Sequence, residues 1–407
     1  MNAYQDDSLS AGIFRNARLP ELVTGPGAIT ELVSLLQRRG IRRVCLVTGK
    51  RSYEAISGEH RPERILGDAG ITAVRYPSSG EPSPDVVDRI RDAAREDELG
   101  AVVAVGGGSV LDTGKAVAAM LRHEGCVEEY LEGVGDKAPS GSRVPLIAVP
   151  TTAGTGSEAT KNAVISRTGA QGYKKSLRHA AFVPDSAILD PELSRSVPAD
   201  VTAASGLDAV TQLLEASVSA KGNPFTAMCA LDGLSRAGRW LERAVQDGRD
   251  LEARAQMAYA AYLSGAALAS AGLGVVHGAA GVLGGMRPVP HGVVCGTLLQ
   301  EATVRVIDAL RRGIRSGDDP ETAGAALQRY TRAAEALTGE YGRKQDEVLD
   351  VMTGLLGDWI RRFRLPGLSA YGFTAGELES AAARIKMKET PAELDSGEIS
   401  KMLAARL

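Results

Sequence analysis

At 407 residues the chain exceeds one ordinary core, and a prior of about 150 residues per domain points to two or three units, with two preferred. Hydrophobic residues make up 44% and charged residues 24%, and 47 Lys and Arg stand against 50 Asp and Glu, so a net charge of −3 gives no global field for nucleic acid or an anionic membrane. The cysteines Cys45, Cys126, Cys229 and Cys295 are scattered and read as reduced thiols, the acidic start MNAYQDDSLS is no signal peptide, and no uncharged apolar run reaches about 18 residues, so a soluble cytoplasmic protein is expected.

In chain order, ITELVSLLQRRG shows helical periodicity and stops at Gly, RVCLVTG and ITAVRYP read as strands, and DVVDRIRDAAREDELG is again helical. GAVVAVGGG and VPLIAVPTT follow as further continuous apolar strands, the kind found in a parallel sheet covered on both faces. The alternation predicts a doubly wound, mostly parallel α/β domain over residues 1–197.

Two βα junctions in this half are candidate ligand loops. AVVAVGGGSVLDTGKAVAAML predicts a strand ending at Val105, a turn through Gly106, Gly107, Gly108 and Ser109, and then a helix whose N-terminus suits a pyrophosphate. The spacing is not GxGxxG, and a plain tight turn is the alternative. In VPLIAVPTTAGTGSEATKNAVIS, Thr151, Thr152, Gly154, Thr155, Gly156 and Ser157 follow a buried strand directly, where open α/β sheets bind ligands. For any single hydroxyl there, capping the following helix is the better reading; the cluster as a whole points to binding.

After AILDPELSRSVPAD the texture becomes Ala, Leu and charged residues at helical spacing, as in DLEARAQMAYAAYLSGAALASAGL and EVLDVMTGLLGDWIRRFRL, which predicts an all-α domain over 198–407. RRGIRSGDDPETAG reads as a mobile polar loop. In the stretch from Ala271 to Gly296 the only full charge is Arg287, yet it holds His277 and His291, each followed by Gly. Two imidazoles in such surroundings need a partner, and a metal ion is the commonest one. Asp208 is a candidate third ligand, and one helical turn on, where a fourth ligand would share its face, stands Gln212 rather than His.

GGGSVLDTGKA, PTTAGTGSEAT, ILDPEL, ASGLDAVTQ and the two His-Gly pairs, in this order over nearly the whole chain, resemble the iron-containing (group III) alcohol dehydrogenase family. The resemblance implies a dinucleotide-binding domain, a helical metal domain, and an active site in the cleft between them. Carried onto this chain, it implies diphosphate contacts at Gly107, Gly108 and Ser109. Thr151, Thr152 and Thr155 then line the phosphates and nicotinamide, Asp112 completes the glycine motif, and Lys175 reaches the cofactor, with Lys174 an equally plain candidate. Where many members carry an Asp that selects NAD, this chain has Gly49 followed by Lys50, Arg51 and Ser52, so NADP is permitted beside NAD.

The family's one Asp and three His correspond to Asp208, Gln212, His277 and His291. With Gln ligating through oxygen, binding of Fe²⁺ or Zn²⁺ weakens and drifts toward Mn²⁺ or Mg²⁺; alternatively the ion is gone, as in a maleylacetate reductase-like enzyme. Gly281 stands where many members place a proton-relaying His, which enlarges the pocket. The resemblance implies metal-assisted hydride transfer between NAD(P)H and a small aldehyde or primary alcohol, with Asp208, His277 and His291 as the catalytic set and a homodimer or larger assembly. A dehydroquinate synthase-like lyase and a non-catalytic dinucleotide module are the rivals, and Arg287 is a candidate for meeting an anionic substrate group.

Overall fold

The computed structural model describes residues 13–169, 172–317 and 319–407; the MNAYQDDSLS segment lies outside them. The first half runs β1 (Glu21–Thr24), α1 (Leu32–Gln37), β2 (Arg43–Gly49), α2 (Arg51–Glu54), α3 (Pro62–Asp68), β3 (Thr72–Ser78), α4 (Pro84–Glu96), β4 (Ala101–Gly106), α5 (Gly108–Met120), β5 (Leu146–Pro150), β6 (Asn162–Arg167), β7 (Tyr173–Arg178) and β8 (Ser186–Leu189). Six of these strands form one sheet in the order β1-β8-β5-β4-β2-β3, every neighbouring pair parallel.

Side-chain alternation explains why the central strands read as unbroken apolar runs. Val44, Leu46, Val103, Val105, Ile147 and Val149 pack on one face with Leu32, Leu35 and Leu66 from α1 and α3. Cys45, Val47, Val102, Ala104, Leu146 and Ala148 pack on the other with Val87, Ile90, Val117 and Met120 from α4 and α5. The predicted doubly wound layer is therefore present. It has one addition that periodicity did not reveal: β6 and β7 form a separate antiparallel hairpin, packed on α5 and on a helix of the second half.

From Pro198 onward the described residues are helical: α6 (Ala199–Val218), α7 (Pro224–Gln246), α8 (Leu251–Ala271), α9 (Val275–Met286), α10 (His291–Ser316), α11 (Pro320–Thr338), α12 (Gln345–Arg362), α13 (Ala375–Ala382) and α14 (Ser396–Ala404). Leu207, Val210, Leu234, Leu298, Leu327 and Trp359 meet in their common core. The polar loop expected at RRGIRSGDDPETAG is largely helix instead. α10 continues to Ser316, Gly317 stops it in the left-handed conformation (φ 79°), and the Asp319 side chain caps α11 by accepting from the Thr322 N–H. Strong stop and start residues lie so close together that little chain is left between the helices.

No single helix among the described residues is long and apolar enough to cross a membrane; the one bent pair that passes by composition, α8 with α9, turns through 97° between two helices of the core.

Candidate metal and dinucleotide site

Helix α6 presents Asp208, α9 presents His277 in its first turn, and α10 opens with His291 and carries Cys295 one turn later. One ligating atom from each of these four residues lies within 4.8 Å of the others. Asp208 Oδ1 is 3.5 Å from His277 Nε2 and 3.7 Å from His291 Nε2, and Cys295 Sγ is 3.7 and 3.6 Å from the same two nitrogens. Asp208 is 1% exposed, yet its Oδ1 has no hydrogen-bond partner. A buried acceptor left in that state costs about 1–3 kcal/mol, and filling the space between carboxylate, imidazoles and thiol with a divalent cation removes the cost. The donor set fits such an ion.

Glu215 supports this cluster from behind. It lies seven residues beyond Asp208 on α6, and its carboxylate accepts from the N–H groups of Gly274 and Val276, both at 2.8 Å, at the start of α9. Glu215 Oε2 also lies 2.6 Å from His277 Nδ1. The carboxylate therefore caps the positive end of α9 and, by accepting from the Nδ1–H, turns Nε2 toward the cluster.

Electrostatics separate the two imidazoles. Burial depresses His277, but the Cys295 sulfur, Glu215 and Asp208 outweigh it and hold the ring well above its ordinary value. Burial, with Lys174 and Lys388 as like charges, overcomes the attraction of Asp208 and takes His291 down to about 3. Burial raises the Asp208 carboxyl, yet His291, His277 and Cys295 bring it to about 2, while burial pushes the Cys295 thiol up to about 12.

Gln212 behaves differently from its neighbours. It is 2% exposed, and its carboxamide lies 2.8 Å from the Ser264 hydroxyl of α8, which also stands 2.7 Å from the Ala261 carbonyl. The carboxamide expected to ligate thus already has a protein partner, while Cys295, absent from the sequence-derived ligand set, stands in the cluster.

The dinucleotide loops lie against these helices. Gly107 is the N-cap of α5, Gly108 and Ser109 open it, and no side chain caps it, so its first N–H groups stay available to an anion. The two expected loops pack on each other: a Cβ on Gly108 would meet Thr155 Oγ1 at 2.5 Å, and one on Gly107 would meet Thr152 Oγ1 at 3.2 Å. Gly156 has φ 59°, and a Cβ there would come within 2.5 Å of the Gly265 nitrogen of α8, so this backbone crossing admits only glycine. Thr151 is buried with no partner for its Oγ1.

Asp112, expected among the cofactor contacts, accepts from the Val164 N–H (2.9 Å), the Ser157 hydroxyl and Lys115 (3.5 Å). Lys115, 1% exposed, also donates to the Ser157 carbonyl, Thr160 Oγ1 and the Asn162 carbonyl, so the pair ties α5 to the threonine loop and the hairpin. Of the two candidate lysines, Lys175 is exposed, whereas Lys174 turns toward α9, pairs with Glu81 at 2.8 Å and approaches Gly284. The structure thus places Lys174 rather than Lys175 on the side of the cluster, because successive strand residues face opposite ways.

Around the end of β2, a Cβ on Gly49 would run into Ser52 Oγ, and Lys50 and Arg51 are exposed. Arg75 of β3, which sequence reasoning missed, donates to Thr48 Oγ1 (2.9 Å) and lies over the Tyr53 ring (4.4 Å). Arg287 pairs with Glu377 at 2.7 Å, so its charge is already met by a carboxylate. A Cβ on Gly281 would face open space.

Comparison with known proteins agrees with this geometry. Residues 20–191 match the family described as iron-containing alcohol dehydrogenase, and residues 202–406 match the Fe-containing alcohol dehydrogenase family, C-terminal. A probable alcohol dehydrogenase, EutG, of Escherichia coli (strain K12) is 36% identical over 281 residues, which cover 69% of this chain and 70% of that protein. The structure of a 1,3-propanediol oxidoreductase superposes with a TM-score of 0.85 at 28% identity, covering 97% of this chain and 100% of the other. A sulfoacetaldehyde reductase from Bifidobacterium kashiwanohense in complex with NAD⁺ does so with a TM-score of 0.82 at 26% identity, covering 97% and 99%. By both halves of its sequence and by its fold, the chain belongs to the iron-containing alcohol dehydrogenase family and is an oxidoreductase of it.

Proposed function

We propose that this chain reduces an aldehyde to a primary alcohol, reversibly, with a retained divalent ion and with NADP(H) accepted beside NAD(H). The observation that carries the metal assignment is Asp208 Oδ1, buried without a hydrogen bond and 3.5 and 3.7 Å from two imidazole nitrogens. An ion held by Asp208, His277 and His291 supplies, when bound, Lewis-acid polarisation of the substrate oxygen, and a nicotinamide dinucleotide supplies the hydride.

The remaining work falls to the chain's own groups. The free N–H groups of Gly108 and Ser109 favour a diphosphate at the head of α5. The Lys115–Asp112 tie keeps the threonine loop in place, so the cofactor meets a preformed surface. Gly281 contributes no imidazole, and His291, with a quarter of its side chain exposed, marks the side on which solvent exchanges the substrate's proton. The room at Gly281 suits an aldehyde larger than acetaldehyde. Lys50, Arg51 and Arg75, with no carboxylate at Gly49, suit a 2′-phosphate.

The metal-free alternative draws support from the Ser264–Gln212 hydrogen bond, which gives Gln212 a structural role. Metal analysis of protein purified without chelator, together with NADPH oxidation in the presence of an aldehyde with and without EDTA, tests the proposal. Full activity in EDTA from protein lacking any divalent ion refutes the metal assignment. As part of the same reading we place the domain boundary at Pro198, just ahead of α6, and infer a cytoplasmic homo-oligomer; Ile13 and Phe14, exposed ahead of the edge strand β1, support the assembly.

A further inference from the structure

We propose that Cys295 is a ligand of the ion, binding as a thiolate in the coordination place that Gln212 leaves, so that the site is Asp–His–His–Cys and selects a thiophilic ion, Zn²⁺ first and Fe²⁺ second. This rests on the reading that the ion is retained.

The separations carry it. Zinc bond lengths of about 2.0–2.1 Å to nitrogen or oxygen and about 2.3 Å to sulfur, taken tetrahedrally, put sulfur about 3.6 Å from each nitrogen and oxygen about 3.3–3.4 Å from each nitrogen. The structure has Cys295 Sγ 3.6 and 3.7 Å from His291 and His277 Nε2, and Asp208 Oδ1 3.5 and 3.7 Å from the two imidazoles. Four of the six separations thus lie close to those a tetrahedral ion requires, and all four atoms stand within 4.8 Å of one another. A thiol merely filling a gap would not have to stand nearly equally far from the same two imidazole nitrogens that Asp208 Oδ1 approaches.

Register and charge agree. Asp208 and Gln212 are one turn apart on α6, and His291 and Cys295 are one turn apart on α10, so each pair projects from one helix face. The Gln212 carboxamide is engaged by the Ser264 hydroxyl and is not in the cluster, which leaves the second member of the α10 pair to complete the set. With Gln212 the ligand charge would be minus one, leaving a divalent ion half-compensated where Asp208 and Cys295 are almost fully buried; a Cys295 thiolate makes it minus two and the centre neutral. When the ion binds, the S–H bond breaks, the proton leaves to solvent and the sulfur lone pair forms the bond to the metal. Sulfur then reverses the drift toward Mn²⁺ and Mg²⁺ that an oxygen ligand from Gln212 implies. His291, the most exposed of the four, marks the side from which a substrate oxygen would reach the ion.

X-ray absorption on the zinc-loaded wild-type protein tests this directly. One sulfur neighbour at about 2.3 Å is expected, together with nitrogen and oxygen neighbours at about 2.0–2.1 Å. The cobalt-substituted protein should show a thiolate-to-cobalt charge-transfer band that Cys295→Ser abolishes, with zinc affinity falling about tenfold or more and partly restored by adding Gln212→His. Full zinc occupancy with only nitrogen and oxygen neighbours overturns the thiolate while leaving the metal-assisted reading standing. Failure of the wild-type protein to bind zinc, iron or cobalt, with aldehyde reduction intact, overturns both. If Cys295→Ser does not fold, the wild-type absorption spectrum decides alone.

Discussion

Replacing Glu215 by Gln is the sharpest test of how the helical half holds its site. In the native carboxylate Oε2 meets both the Gly274 N–H and His277 Nδ1, and Oε1 meets the Val276 N–H. A carboxamide has one acceptor oxygen. Placed where Oε2 stands, it keeps the contacts to Gly274 and His277 but sets its NH₂ against the Val276 N–H; turned the other way, it keeps Val276 and forces Nδ1 to accept, which puts the proton on Nε2, facing the ion. Either orientation loses at least one hydrogen bond to a charged acceptor, about 1.5–3 kcal/mol, and removes the negative charge at the N-terminus of α9. Because the same carboxylate makes His277 a better donor, metal affinity should fall about 10- to 100-fold. Competition with a calibrated chelator reads the affinity, and denaturant unfolding of the metal-free protein reads the stability. A variant that loses stability as expected but binds the ion within about threefold of wild type, less than the range for lost orienting partners, would show that Glu215 caps α9 and does not orient His277.

Four further outcomes follow from other parts of the molecule. Glu158 is 2% exposed, and burial, despite nearby Lys115, raises its carboxyl to about 7 from 4.5, so the folded state binds the proton more tightly. Its contribution is fully present below about pH 4.5 and is lost as the pH rises to about 7, about 3 kcal/mol in all, and Glu158→Gln should flatten that segment of the stability profile measured by urea unfolding. Lys50→Asp should raise the KM for NADPH at least about tenfold and leave that for NADH within about twofold, since one charge-assisted contact to phosphate is worth roughly 1.5–3 kcal/mol; equal effects on both cofactors would refute the assignment of this turn to the 2′-phosphate. Gly281→Ala places its Cβ in open space, so thermal unfolding should show no loss of stability, with a gain of up to about 1 kcal/mol from helix propensity, while KM rises for bulky aldehydes more than for small ones. Gly156→Ala combines a left-handed backbone with a collision against Gly265 and should destabilise by about 2 kcal/mol or more, visible as a lower denaturant midpoint and weaker cofactor binding.

The amino-acid sequence alone determined the fold class and most of the site's parts. Apolar runs such as RVCLVTG belong to strands buried on both faces, and the motifs around Gly107, Thr151, His277 and His291 sit at element ends, where local signals are strong, while Asp208 lies in the middle of α6. A closer reading of α6 would also have marked Glu215, since Asp208, Gln212 and Glu215 follow the i, i+4, i+7 rhythm of one face. What only the tertiary structure decided is which of these residues meet. Asp208 on α6, His277 on α9 and Cys295 on α10 are far apart in the chain and are brought together by helix packing. Whether Lys174 or Lys175 turns inward depends on which face of the β6–β7 hairpin rests on α9. Gln212 finds Ser264 fifty-two residues away, a contact no local pattern records. Periodicity reports the face a side chain lies on; the partner across that face is set by how the helices pack, and here the partners decide the metal chemistry.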